Sequence, residues 1–359
     1  MLSLVLHMLE TSRIWGNLRA PFSAAIIHFM DISMSFTAFA APFVAFMMAF
    51  ALISYLVKGG LLKVLDHPNP RSLHSKAVPR TGGLGLMSGV LVSWALLPGV
   101  LPLSIWASVI LLVAISFADD VSGLPAWARF LMHGAVAVWF SVAMLSDTHG
   151  WMITTVAAVA ITWMLNLYNF MDGSDGLAGG MTLIGFGCYG VTAWLAGNEP
   201  FAMINFCIAA AAAAFLLFNF HPARIFMGDA GSIPLGFLAA ILGIMGWMNG
   251  NWPLWLPLLI FSPFIVDASV TLAKRGLRGE KIWEAHREHY YQHMVRSGLG
   301  HRNTALLGYV LMLAAGASAI WAMRQQTAVQ LGVGAAWGGI YLAIMRIADR
   351  YWKRHPGGS

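Results

Sequence analysis

Apolar runs of about 20 residues recur along the chain with short polar segments between them, and a run of that length is what a helix needs to cross a bilayer. In chain order they predict spans at 33–57, 84–100, 103–118, 130–145, 152–167, 181–195, 201–218, 233–247, 252–272, 305–323 and 329–347. The breaks carry turn chemistry: Lys58-Gly59-Gly60 closes the first span, PGVLP separates the second from the third, and SDTHGW and AGNEP separate later pairs. The expected fold is therefore all-α, a polytopic membrane bundle of about eleven transmembrane helices. One membrane domain covers 33–350 and a polar tail follows at 351–359. Residues 1–32 are only patchily apolar, broken by Glu10, Arg13 and Arg19, and are assigned no structure. They read as an interfacial segment or as an extension upstream of a start near Met30 or Met34.

Composition strengthens this reading. The chain is 58% hydrophobic and 10% charged, against roughly 25% charged residues in soluble domains. Cys188 and Cys207 fall inside apolar runs and read as core residues, not as a disulfide or a thiolate metal site. The net charge of +6 is a matter of topology. If the spans alternate, 18 of the 21 Lys and Arg fall on one side, which the positive-inside rule makes cytoplasmic, with the C-terminus inside and the N-terminus across the membrane. The basic balance thus calls for no nucleic-acid partner.

The chemistry gathers on that same side. In NLYNFMDGSDGLAGGM, 166–181, Asn166, Asn169, Asp172 and Asp175 recur every third residue and would form one slanting polar row on a helix. Carboxylates beside membrane spans are costly and read as functional by default, and Gly173, Gly176, Gly179 and Gly180 would admit a phosphate-bearing ligand close to the backbone. Asp119 and Asp120 close an apolar helix at the unfavourable end of its dipole. That placement asks for a compensating cation, a metal or a proton. Lys76 and Arg80 beside Gly82 and Gly83 form a loop able to hold an anion through charge and backbone N–H groups. Asp229 sits between Gly228 and Gly231 in GDAGS, and Asp267 near a helix exit is equally well a structural group. His286, His289 and His293, with Arg287 and Arg296, would share a helical face suited to phosphate, to plain solvation or to a transition metal.

As a set and in this order, DDVSGL, NFMDGSDGLAGG, FMGDAGS and a histidine-rich loop resemble the polyprenyl-phosphate N-acetylhexosamine-1-phosphate transferases, glycosyltransferase family 4. Members include the peptidoglycan translocase and the initiators of enterobacterial common antigen, teichoic acid and O-antigen. The resemblance spans roughly 62–300. It implies transfer of a sugar 1-phosphate from a UDP-N-acetylated sugar to undecaprenyl phosphate at the cytoplasmic face of the bacterial inner membrane, among membrane lipids. Magnesium is the implied cofactor, with manganese as its substitute, and a homodimer is one expected assembly. By motif position, Asp119, Asp120, Asp172 and His289 form the catalytic set, Asp229 and Asp120 bind metal, and Asn169, Asp175, Asn219, Lys76, Arg80, His286, Arg287 and His293 bind substrate. Many members carry HxHH where this chain has His289 followed by Tyr290, Tyr291 and Gln292. That departure points toward the O-antigen initiators, with N-acetylfucosamine, N-acetylquinovosamine or N-acetylglucosamine donors. The rival reading is a secondary transporter with a carboxylate-lined pathway.

Overall fold

The computed structural model describes residues 16–59, 64–66, 73, 77–282, 284 and 286–354, with side chains from Thr37 onward. Its elements are α1 (Gly16–Val57), a two-residue antiparallel ribbon of β1 (Leu65–Asp66) and β2 (Val78–Pro79), α2 (Gly82–Trp94), α3 (Leu103–Ser122), α4 (Ala126–Phe170) and α5 (Leu177–Leu195). There follow α6 (Glu199–Asn219), α7 (Asp229–Met248), α8 (Trp255–Ile260), α9 (Ser262–Leu277), α10 (Tyr290–Met294), a π-helical turn at Val295–Leu299, α11 (Gly300–Ala322) and α12 (Thr327–Arg354). The protein is a polytopic helical membrane protein. Seven of the described helices are long and apolar enough to span a bilayer.

Every expected span falls at least in part on a helix, but three boundaries differ: the second expected span, 84–100, is helical only to Trp94, where α2 ends. Spans 130–145 and 152–167 are borne out as two helical arms, which join at Gly150 within α4. At Gly150 the backbone takes a φ of 74° and ψ of 166° that only glycine adopts without strain, so the chain turns back within SDTHGW and the two arms line one groove, with Arg129 and Asn169 at the same end. The span at 252–272 is divided between α8 and α9, because Pro263 lacks the N–H that would continue α8. Helices α1 and α12 outrun their predicted ends: α1 begins at Gly16, and residues 351–354 of the expected tail are helical. Residues 1–15 and 355–359 lie outside the described residues.

Local chemistry sets most of the other limits. Pro102 and Pro125 immediately precede α3 and α4, and α3 stops at Gly123 in the left-handed region. Asn198 caps α6 by accepting the Phe201 N–H at 3.2 Å. Helix α7 is the post of the bundle, 78% buried, and packs on α2, α3 and α4, whereas α12 is only 17% buried over its apolar stretch. Because α3, both arms of α4, α6 and α7 meet the same polar loops at one end, that end of the bundle carries the site.

Candidate active site

The framework of the site is a zipper between two glycine-rich segments. Phe226 N–H donates to Pro79 O (2.7 Å), Gly82 N–H to Phe226 O (2.9 Å) and Gly83 N–H to Met227 O (2.8 Å). The Gly82 and Gly83 amides, expected to face an anion, are thus used inside the protein. Their neighbours leave no room for side chains: a Cβ on Gly83 would lie 2.3 Å from Gly231 N. At Gly228, φ is +71° and a Cβ would meet Arg80 O at 2.3 Å, so this position demands glycine.

The zipper delivers α7 to the end of α3. Asp120 accepts the N–H groups of Asp229 (3.3 Å) and Ala230 (3.1 Å) and lies 3.5 Å from Arg80 Nε. It satisfies the unpaired amides and the positive pole of α7. A carboxylate at the wrong end of its own helix is at the right end of the next one, so the compensation that its placement asks for comes from the start of α7 and from Arg80. Asp119 Oδ1 accepts the Leu124 N–H at 2.6 Å. Its Oδ2 shares Arg129 Nη1 with Asp229 Oδ2, at 3.3 and 3.4 Å. Arg129 is not among the residues that the sequence singles out; its one signal is a lone cation immediately before the apolar run at 130–145.

The polar row of the central motif is broken. Helix α4 ends at Phe170, leaving Asn166 and Asn169 on it and Asp172 and Asp175 in the following loop. Asn169 accepts from Ser232 Oγ at 2.9 Å. Asp172 makes no side-chain hydrogen bond or ion pair among the described residues. Burial, then repulsion from Asp229, Asp120 and Asp66, raises its pKa well above the usual carboxylate value. Asp175, expected to bind substrate, instead turns inward to accept His221 Nδ1 (2.7 Å) and Ala223 N–H (3.1 Å). Asn219, expected beside a nucleotide, accepts Gly176 N–H and donates to Ile225 O, both at 2.9 Å. Both residues are buried and fasten the loop. The glycines make room for protein side chains: Tyr291 lies against Gly173, and Tyr309 against Gly176 and Gly180. His301, also missed from sequence, binds Ser174 Oγ at 2.9 Å.

The three histidines do not share a helical face. His286 is in a loop, His289 precedes α10, and His293 stacks on Trp352 with centroids 4.2 Å apart. His289 is buried between His286, Phe170 and Tyr291. Burial, then the charges of His289 and Arg275, lowers the His286 pKa to about 4, so its ring is neutral at pH 7. Arg287 makes no hydrogen bond or ion pair among the described residues. Asp267 resolves as structural, accepting the Tyr290 and Tyr291 N–H groups at 2.9 and 3.0 Å. The residues that depart from HxHH are structural too: Tyr291 donates to Phe170 O at 3.0 Å and Gln292 accepts the His289 N–H at 3.2 Å. Lys76 lies outside the described residues.

Between the arms of α4 runs an apolar groove of about 850 Å³, lined by Trp151, Val138 and Val159 toward Gly150 and by Arg129, Asn169 and Phe170 at the site end. A long hydrocarbon fits its walls, and Arg129 marks where a charged head would sit. The carboxylates at this mouth outnumber the arginines beside them and so favour a hard cation. Among the described residues no three Asp, Glu, His or Cys are pre-arranged as a metal cage. Magnesium does not need one, because it is commonly held by one or two carboxylates together with substrate phosphates and water. Asp229, with Asp119 and Asp172 near, fits that mode. Asp120, also expected to bind metal, already has both oxygens engaged.

Residues 102–247 match the family model described as glycosyl transferase family 4. The chain is 30% identical over 289 residues to a protein of Bacillus subtilis named a probable undecaprenyl-phosphate N-acetylglucosaminyl 1-phosphate transferase, covering 75% of this chain and 80% of that one. It is 29% identical over 370 residues to the decaprenyl-phosphate N-acetylglucosaminephosphotransferase of Mycolicibacterium smegmatis, covering 86% and 88%. It is 29% identical over 243 residues to the phospho-N-acetylmuramoyl-pentapeptide-transferase of Lacticaseibacillus paracasei, covering 59% and 75%.

Proposed function

The chain belongs to glycosyl transferase family 4, and from that membership and its site we propose that it moves an N-acetylated hexosamine or 6-deoxyhexosamine 1-phosphate from a UDP-sugar to undecaprenyl phosphate. UMP is released, and the lipid-linked product starts a surface glycan, O-antigen being the one proposed. The reaction takes place at the cytoplasmic face of the inner membrane. The observation that carries this reading is the meeting of Asp119, Asp229 and Arg129 at the mouth of an apolar groove.

In the proposed reaction the prenyl tail lies in the groove and its phosphate takes the Arg129 guanidinium, whose planar fork suits a phosphate. A phosphate monoester has a second pKa near about 6 and is largely ionised at neutral pH, so no strong base is required. Its oxygen attacks the sugar-bearing phosphorus of the donor. The bond to the UMP phosphate breaks and UMP leaves with the electron pair. Arg287 and the neutral His286 receive the donor diphosphate, and buried His289 holds them in place. Magnesium, or manganese in its stead, held by Asp229 with Asp119 and Asp172, would neutralise phosphate charge and make the leaving group better. The occupied oxygens of Asp120 favour direct attack over an aspartyl intermediate formed on that residue. Positioning and charge then supply most of the rate.

The test is detergent-purified protein with undecaprenyl phosphate, magnesium and a panel of UDP-sugars. UMP should appear with at least one N-acetylated donor, and only when lipid phosphate is present. Failure with every donor would overturn the reading.

A further inference from the structure

The last helix is the least buried of the membrane helices, yet its site-facing end is tightly engaged. Asp349 Oδ2 lies 2.8 Å from Lys274 Nζ and 3.5 Å from Tyr290 Oη, and Lys274 also bonds that hydroxyl. One turn on, the Trp352 ring stacks nearly parallel (4°) on His293, and the Arg296 guanidinium lies 4.9 Å from the same ring's centre. A tryptophan at the end of a membrane helix usually anchors in the lipid interface. Here the ring is taken by a cation and an imidazole on a neighbouring segment.

That segment is the one that carries the donor-facing side chains. His293 and Tyr290 belong to α10, which His289 precedes, and His286 and Arg287 come just before it. Inside the protein, Asp267 holds the start of α10, and Tyr291 ties it to Phe170 beside Asp172. These bonds fix one side of the short helix, and Asp349 and Trp352 fix the other. A five-residue helix followed by a π-turn with a positive-φ glycine, Gly298, cannot hold its own orientation by backbone bonding alone.

We propose that Trp352, with Asp349, is a positioning residue: the end of α12 latches α10 so that His286, Arg287 and His289 are presented to the donor diphosphate. This rests on the donor reading above, so the test has one arm that depends on activity and one that does not. In the full-length protein, Trp352→Ala should speed backbone hydrogen–deuterium exchange across 286–299 while exchange in α3 and α7 stays as in the wild type. Trp352→Phe, which keeps a ring for His293 and Arg296, should restore protection. In the transfer assay, Trp352→Ala should raise the UDP-sugar KM by about tenfold with acceptor KM unchanged, and Trp352→Phe should recover most of it. Unchanged exchange in Trp352→Ala overturns the latch. Faster exchange with unaltered donor KM overturns its positioning role. A wild-type protein with no transfer activity but with the exchange difference would sink the donor reading and leave the latch standing.

Discussion

The carboxylates at the site look alike in sequence and do different work, and substitution should separate them. Asp229 faces Arg129 and no backbone donor, so Asp229→Asn should lower kcat by about a hundredfold or more, as for loss of an electrostatic stabiliser. Asp120 holds the amides that open α7. Asp120→Ala should therefore cost about 1–2 kcal/mol of stability, in the range of a lost helix cap, in addition to activity. Asp172 has no donor of this kind among the described residues. Its folded pKa stands above the unfolded 3.8, so the folded state resists its ionisation, and the penalty is absent below that value and grows as pH rises. Asp172→Asn should melt higher than wild type at about pH 8, the gap should close toward about pH 4, and transfer should be lost. A thermal scan against pH decides it, and a gap that widens on acidification would refute the account.

Among the elements, α2 and α7 approach closely, and Gly83 and Gly231 bring their two backbones into contact. A Cβ on Gly231 would sit 2.7 Å from Gly83 Cα and 2.4 Å from Met227 Cγ. Gly231→Ala should therefore destabilise the protein by about 1–3 kcal/mol, the usual cost of overpacking, and loosen the Asp120 contact to α7, read as a lower melting temperature together with lower kcat. At this scale much was legible in the chain. Apolar runs announced every membrane helix, because length and hydropathy are local properties. What sequence could not give was direction after a break: three-residue spacing from Asn166 to Asp175 looks helical until Phe170 ends α4, and four-residue spacing from His289 to His293 says nothing of Trp352 on the far helix. Asp175 and Asn219 are assigned to substrate by motif position, which does not show what else in the fold their side chains bond. Asp175 bonds His221 and Ala223, more than 40 residues on, and Asn219 bonds Gly176 as well as nearby Ile225.

At the scale of the whole molecule, the proposed acceptor would come from the bilayer, and this changes what the groove can contribute. A prenyl tail leaving lipid for the apolar walls between the arms of α4 exchanges one hydrocarbon surrounding for another, so the hydrophobic gain that would dominate in water nearly vanishes. Discrimination between lipids must then come mostly from the phosphate at Arg129 and from the fit of the first prenyl units. In proteoliposomes, with acceptor expressed as a mole fraction of lipid, shortening the tail by several isoprene units should change KM by less than about threefold. Arg129→Gln should raise it by about tenfold or more, because a charge-assisted phosphate contact is worth roughly 1.5–3 kcal/mol. The same tails compared in bulk concentration would show a steep dependence that reports partitioning into the membrane. If KM on the mole-fraction scale still climbed steeply as the tail shortened while Arg129→Gln left it unchanged, recognition would lie in the hydrocarbon, and the site at the groove mouth would have been assigned the wrong half of the acceptor.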